Sequence, residues 1–191
     1  MSNDTSNVTI TGGTTAQQTS ILTAHATAIS HLQTAIGKIS TSGTLLNLWF
    51  GSSSSSTQTQ VSTILSQTLT GLQSDTFVYD LTDDLTSYLA FFEVVLIFNA
   101  PDSSTTSADT EVDVALWDQF WSMQAMDSDD AATSLVFSLL HQACLWFNIS
   151  SINEPDGTQS QELAQLFASS SPANALLSVR NFVYYVQAAS S

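Results

Sequence analysis

Cations are what this chain lacks most. Of 191 residues only Lys38 and Arg180 are Lys or Arg, against seventeen Asp and Glu, which gives a net charge of −15 at pH 7. Charged residues make up 10% of the chain where about 25% is usual, so the deficit lies on the cationic side. Nucleic-acid binding rests on Lys and Arg neutralising phosphates, and two cations form no basic footprint. Nucleic acid is excluded as a partner. The same shortage argues against phosphoryl-transfer chemistry and against electrostatic attraction to anionic lipid, where each cation contributes about 1 kcal/mol. Any contact with a membrane must be apolar. Two explanations of the scarcity stand side by side: Ser, Thr and Gln do the solvating here, or a chain with few trypsin sites and one lysine suits a secreted toxin or effector.

Cysteine is nearly absent too. Cys144 stands alone, so no intramolecular disulfide forms and the redox compartment stays open. The amino terminus has no basic n-region or apolar h-region, so a cleaved signal is not expected; export, if any, would follow lysis, a non-classical route or earlier processing, and localisation stays open. Gly-rich phosphate loops, a nucleophile elbow and metal-ligand spacings are also missing. The expectation is therefore no enzyme, no cofactor and no metal.

What is present is helical periodicity. Hydrophobic residues form 43% of the chain, enough for a core at this length without disulfide or metal. Residues 1–13 read as a mostly unstructured arm in which Val8, Thr9 and Ile10 favour a short extended piece. From 14 to 40, Leu22, Ile29, Leu32, Ile36 and Ile39, with His25 in the remaining slot, fall at spacings of three and four along one helical stripe, and Gly43 reads as a stop. A short apolar piece, 45–50, and a loop at Ser52–Ser56 lead to a second stripe, Val61, Leu65, Leu69 and Leu72, over 57–74. Asp75 is placed to cap a helix running to Asn99, whose second half, 88–98, is apolar except for Glu93; a buried strand over Phe91–Phe98 is the alternative. Helical spacing continues over 111–126. The longest stretch without a charged residue, 131–153, is preceded by Ser128, Asp129 and Asp130 as caps. After a turn at Glu154-Pro155-Asp156-Gly157, Thr158 to Gln161 matches a capping box for a helix to about Ala168, and a last helix spans 172–188 behind Ser171-Pro172. These elements predict a single-domain all-α bundle of six to seven helices over 14–191, with 88–98 and 134–149 innermost.

Candidate sites are few. His141 and Cys144, three apart on one helix side, set a base beside a thiol, but an apolar setting does not lower a thiol pKa, and a core cysteine is the expectation. His25 and His31 stand about 240° apart around a helix and cannot ligate one metal together; His25 is assigned to the buried stripe and His31 to the surface. The carboxylate clusters around Asp80, Asp109 and Asp129 lack the ordered spacing and central Gly of a calcium loop and read as helix caps and solvating groups. Trp49, Phe50, Trp117, Phe120, Trp121, Trp146, Phe147, Tyr184 and Tyr185 read as core filler.

Two uncharged apolar helices under amphipathic cover share the logic of soluble α-helical pore-forming proteins. The leading expectation is therefore a non-enzymatic, membrane-active protein of toxin or effector type that inserts its apolar helices at low pH, once its carboxylates have lost charge, and oligomerises. The contact residues would be Tyr88, Phe91, Phe92, Phe98, Leu135, Phe137, Leu140, Trp146 and Phe147, and the partner membrane lipid. The alternatives are an assembly module that self-associates through its Ser/Thr/Gln-rich helices and a carrier of an apolar ligand.

Overall fold

The computed structural model describes residues 5–81, 111–115, 135–148, 151–152 and 160–191. Among these, the fold is mostly helical, as the periodicities predict, with seven helices. They are α1 (Thr15–Lys38), α2 (Gly43–Phe50), α3 (Ser55–Ser74), α4 (Leu135–Phe147), α5 (Gln161–Ser170), α6 (Pro172–Ala175) and α7 (Val179–Ser190). The chain divides into two compact units. Unit one comprises 1–27 and 72–138; unit two comprises 28–71 and 139–191.

Unit one holds what helical spacing does not predict, a parallel sheet of three strands in the order β1 (Val8–Thr11), β2 (Thr76–Asp80), β3 (Glu111–Ala115). In the register Val8 stands opposite Phe77 and Phe77 opposite Val112. The extended piece at Val8 to Ile10 is thus an edge of a sheet. The helix expected from Asp75 begins instead as β2, and the helical reading of 111–126 gives way to β3 at its start. The reason lies in period: Phe77 and Tyr79 are buried while Thr76 and Val78 are half-buried, the two-residue alternation of a strand. Asn7 fixes the entry to the sheet, its Nδ2 donating to the carbonyls of Leu72 (3.0 Å) and Asp75 (2.8 Å).

α1 opens with a reciprocal capping box. The Thr14 hydroxyl accepts from the Gln17 backbone N–H (3.3 Å) while the Gln17 side-chain oxygen Oε1 accepts from the Thr14 N–H (2.8 Å). Its buried stripe is Ile21, Ala24, His25, Ala28, Ile29, Leu32 and Ala35, continued by Ile39. Leu22, expected in that stripe, is exposed, because Ile21 takes the inward position one residue earlier.

In unit two the core is aromatic. Phe50 packs on Phe182 (4.9 Å between centroids) and on Tyr185 (5.6 Å), and Trp49 stacks on Tyr184 (5.3 Å). Asn181 ties three helices together, its Nδ2 donating to the carbonyls of Trp49 on α2 (2.6 Å) and Ala164 on α5 (2.9 Å). Lys38 donates its ammonium to the carbonyl of Ala189 in the last turn of α7, where the negative end of the helix dipole favours a cation. Gly43, expected as a stop, is the first residue of α2, and Ser55 already lies in α3. α5 is capped by the Ser160 hydroxyl, which accepts from the Leu163 N–H (3.2 Å). The expected continuous helix over 172–188 is two: α6, with Pro172 in its first turn, and α7, separated where Ser178 takes an extended conformation.

Candidate functional site

α4 is where the sequence concentrates both its apolar run and its histidine–cysteine pair. Its 13 residues carry no charge. Leu135, Phe137 and Leu140 are buried, Trp146 and Phe147 are half-buried, and Tyr88, Phe91, Phe92 and Phe98 lie outside the described residues. The α4 contact candidates divide accordingly: the first three are core, and the last two reach the surface. The Phe147 ring also seats against Gly71 of α3, where a Cβ would stand 2.3 Å from Phe147 Cε1, so the absence of a side chain at 71 is what admits the ring.

At the C-terminal end of α4, Cys144 and Asn148 form one buried polar cluster with Thr68 of α3. Asn148 Nδ2 donates to Thr68 Oγ1 (2.7 Å) and to the Cys144 carbonyl (3.2 Å), and Thr68 in turn donates to the carbonyl of Ile64 (3.0 Å). Cys144 Sγ lies 3.8 Å from Thr68 Oγ1. Burial pushes the thiol up to about 12, against a smaller opposing effect of Thr68, so at neutral pH it holds its proton. A thiolate nucleophile is not available here. His141, on the same helix, is 8% exposed. The cluster is a polar seam between α3 and α4, and it orders the helix that carries His141, Gln142 and Leu145.

A second histidine is built into unit one. His25 is fully buried, with Nδ1 3.0 Å from the Tyr79 hydroxyl and Nε2 3.1 Å from the Leu72 carbonyl. Phe77 meets its ring edge-on at 4.9 Å. Desolvation lowers its pKa to about 4, with the Leu72 carbonyl opposing. His25 thus occupies the buried stripe as its spacing predicts, and His31 is half-buried. The partners of His25 were not legible, since Tyr79 lies 54 positions away on a strand read as helix.

Trp49, Phe50, Tyr184 and Tyr185 are core, as expected of them, and Trp117, Phe120 and Trp121 lie outside the described residues. Among the described residues, the exposed large apolar side chains are Leu22, Leu48, Leu163, Leu166 and Leu177. Among the described residues no three His, Cys, Asp or Glu side chains come together as a metal-binding group, and no helix is long and apolar enough to cross a membrane.

No protein-family model matches the chain, and no curated protein matches it in sequence. Among solved structures, one titled a zinc peptidase from Grifola frondosa is similar, with a TM-score of 0.64 at 17% identity, over 92% of this chain and 96% of that one. At that identity the likeness bears on fold alone.

Proposed function

We propose that this protein is non-enzymatic and acts by contact on a fold similar to that of a zinc peptidase. The observation that supports this is the run His141-Gln142-Ala143-Cys144-Leu145 on α4. Helix-borne zinc peptidase sites commonly set two histidines four residues apart on one face, with a Glu after the first as general base. Here the base position carries an amide, which accepts no proton at neutral pH, and the second ligand position carries Leu145, which has no donor atom. His25 and His31 do no better, being followed by Ala26 and Leu32, with Ile29 and Ala35 four residues on. The donor set on these helices does not fit zinc. The test is peptide and casein hydrolysis with zinc supplied in micromolar excess: the expected rate is that of the buffer, and a zinc-dependent, chelator-sensitive turnover would refute the proposal.

A second reading, acid-triggered membrane activity, is favoured by one observation: α4 is uncharged along its whole length. At 1.5 Å per residue it measures about 20 Å, short of the roughly 30 Å hydrocarbon core, so lipid contact through α4 alone would be interfacial. On this reading, dye is released from neutral-lipid vesicles at pH 5 and not at pH 8. No release at either pH removes it and leaves self-association to be tested by solution mass.

A further inference from the structure

We infer that His25 is an acid latch: neutral, it fastens the last turn of α3 and strand β2 to α1, and its protonation opens that part of unit one. The geometry allows one tautomer. A carbonyl only accepts, so the hydrogen sits on Nε2 and points at Leu72, leaving Nδ1 bare to accept from the Tyr79 hydroxyl. Both ring nitrogens are then satisfied, in a site where His25 and Tyr79 are each fully buried. A second proton breaks this arrangement twice. Nδ1–H would face the Tyr79 oxygen, which must turn its own hydrogen away into the core, and a full positive charge would stand among Ile21, Leu72 and the Phe77 ring.

Among the described side chains, none on the enclosing elements answers that charge. α1 and α3 contain no Asp or Glu, and β1 is VTIT. On the β2 side, burial raises the Tyr79 pKa beyond its ordinary value, and the Asp75 carboxyl is likewise raised by desolvation rather than lowered by a cation. The neighbourhood therefore selects the neutral imidazole.

The direction with pH follows. The folded-state value, about 4, lies below the ordinary 6.5. The latch contributes fully above pH 6.5, weakens as pH falls toward 4, and contributes nothing below. Between pH 7.5 and pH 4.5 the opening constant should rise by about 70-fold. The sequence points to the carboxylates as the groups through which low pH acts; the buried imidazole is a separate, one-proton sensor confined to unit one.

The experiment is native-state hydrogen exchange on the full chain at pH 7.5, 6.0, 5.25 and 4.5, corrected for intrinsic rates, in wild type and His25→Gln. The expected result is that the Phe77 and Tyr79 amides lose protection by about 70-fold on acidification while those of Phe182 and Tyr185 in unit two do not, and that His25→Gln flattens the response to under about 3-fold. An equal slope in wild type and variant, or none in wild type, overturns the inference. Should the variant not fold, the imidazole resonance of His25 in the wild type decides: a titration midpoint well below 6.5, coinciding with loss of β2 protection, supports the latch, and a midpoint near 6.5 with β2 intact overturns it.

Discussion

Gly51→Ala is expected to destabilise the protein by roughly 2–5 kcal/mol, read as a fall in urea midpoint without a change in slope. Two independent effects add at this position. Gly51 closes α2 in the left-handed region, at φ +67°, with its N–H bonded to the Asn47 carbonyl, and an L side chain there costs about 1–2 kcal/mol. A Cβ would also stand 2.2 Å from the Ala168 carbonyl oxygen and 2.8 Å from Pro172 Cγ, so the end of α5 or the start of α6 must move, at a further cost of about 1–3 kcal/mol. Gly37→Ala is the control. Gly37 lies inside α1 with nothing within 4 Å of a built Cβ, and alanine there should stabilise by up to about 1 kcal/mol through helix propensity. Opposite signs at two glycines separate close approach from a general intolerance of substitution.

Phe182→Ala is expected to cost about 3–5 kcal/mol, a large share of the stability of a domain this size. Phe182 has no exposed surface, and its ring lies 4.9 Å from that of Phe50, which in turn lies 5.6 Å from that of Tyr185. Removing it leaves a cavity beside the Phe50 ring, between α2 and α7. Phe182→Leu should cost less, by keeping part of the volume. The comparison that isolates burial is Leu166→Ala: Leu166 on α5 is 62% exposed, and its loss should stay within about 0.5 kcal/mol. Chemical denaturation of the three variants checks the order.

The helices were legible where a stripe of apolar residues repeats at three and four: α1 and α3 fall close to their predicted bounds because burial of that stripe is what forms them. The α4 core also followed from the lack of any charge over its length. The sheet was hidden for a different reason. β1 and β2 pair through residues such as Val8 and Phe77, far apart in the chain, and each strand is only four or five residues long. Five residues of alternation at Thr76 to Asp80 adjoin Asp75, a good helix cap, and the local signal for a cap outweighs that for a short strand. The break at Ser178 was equally invisible, since Leu176, Val179, Phe182, Val183 and Val186 keep helical spacing across it.

Of the candidate site, the residue types were legible and their contacts were not. His141, Cys144 and the lack of a metal spacing stand in the sequence. That Cys144 is held protonated, and that Thr68 and Asn148 form the seam beside it, depends on α3 and α4 meeting across 80 positions. Asn148 follows Trp146 and Phe147 with nothing local to mark it as a buried donor. His25 was placed correctly by spacing, yet its role rests on Tyr79, which only the strand brings to it.

The most direct test of the non-enzymatic proposal is zinc binding to the intact folded chain, by calorimetric titration and by metal content after equilibrium dialysis at micromolar free zinc, with Leu145→His as the positive comparison because it restores an i, i+4 histidine pair on α4. The wild type is predicted to retain far less than one equivalent and to show no thermal stabilisation, while Leu145→His binds measurably. One tightly held equivalent in the wild type, with the rise in stability that binding to the folded state alone produces, would contradict the reading that this donor set does not fit zinc, on which the proposal rests.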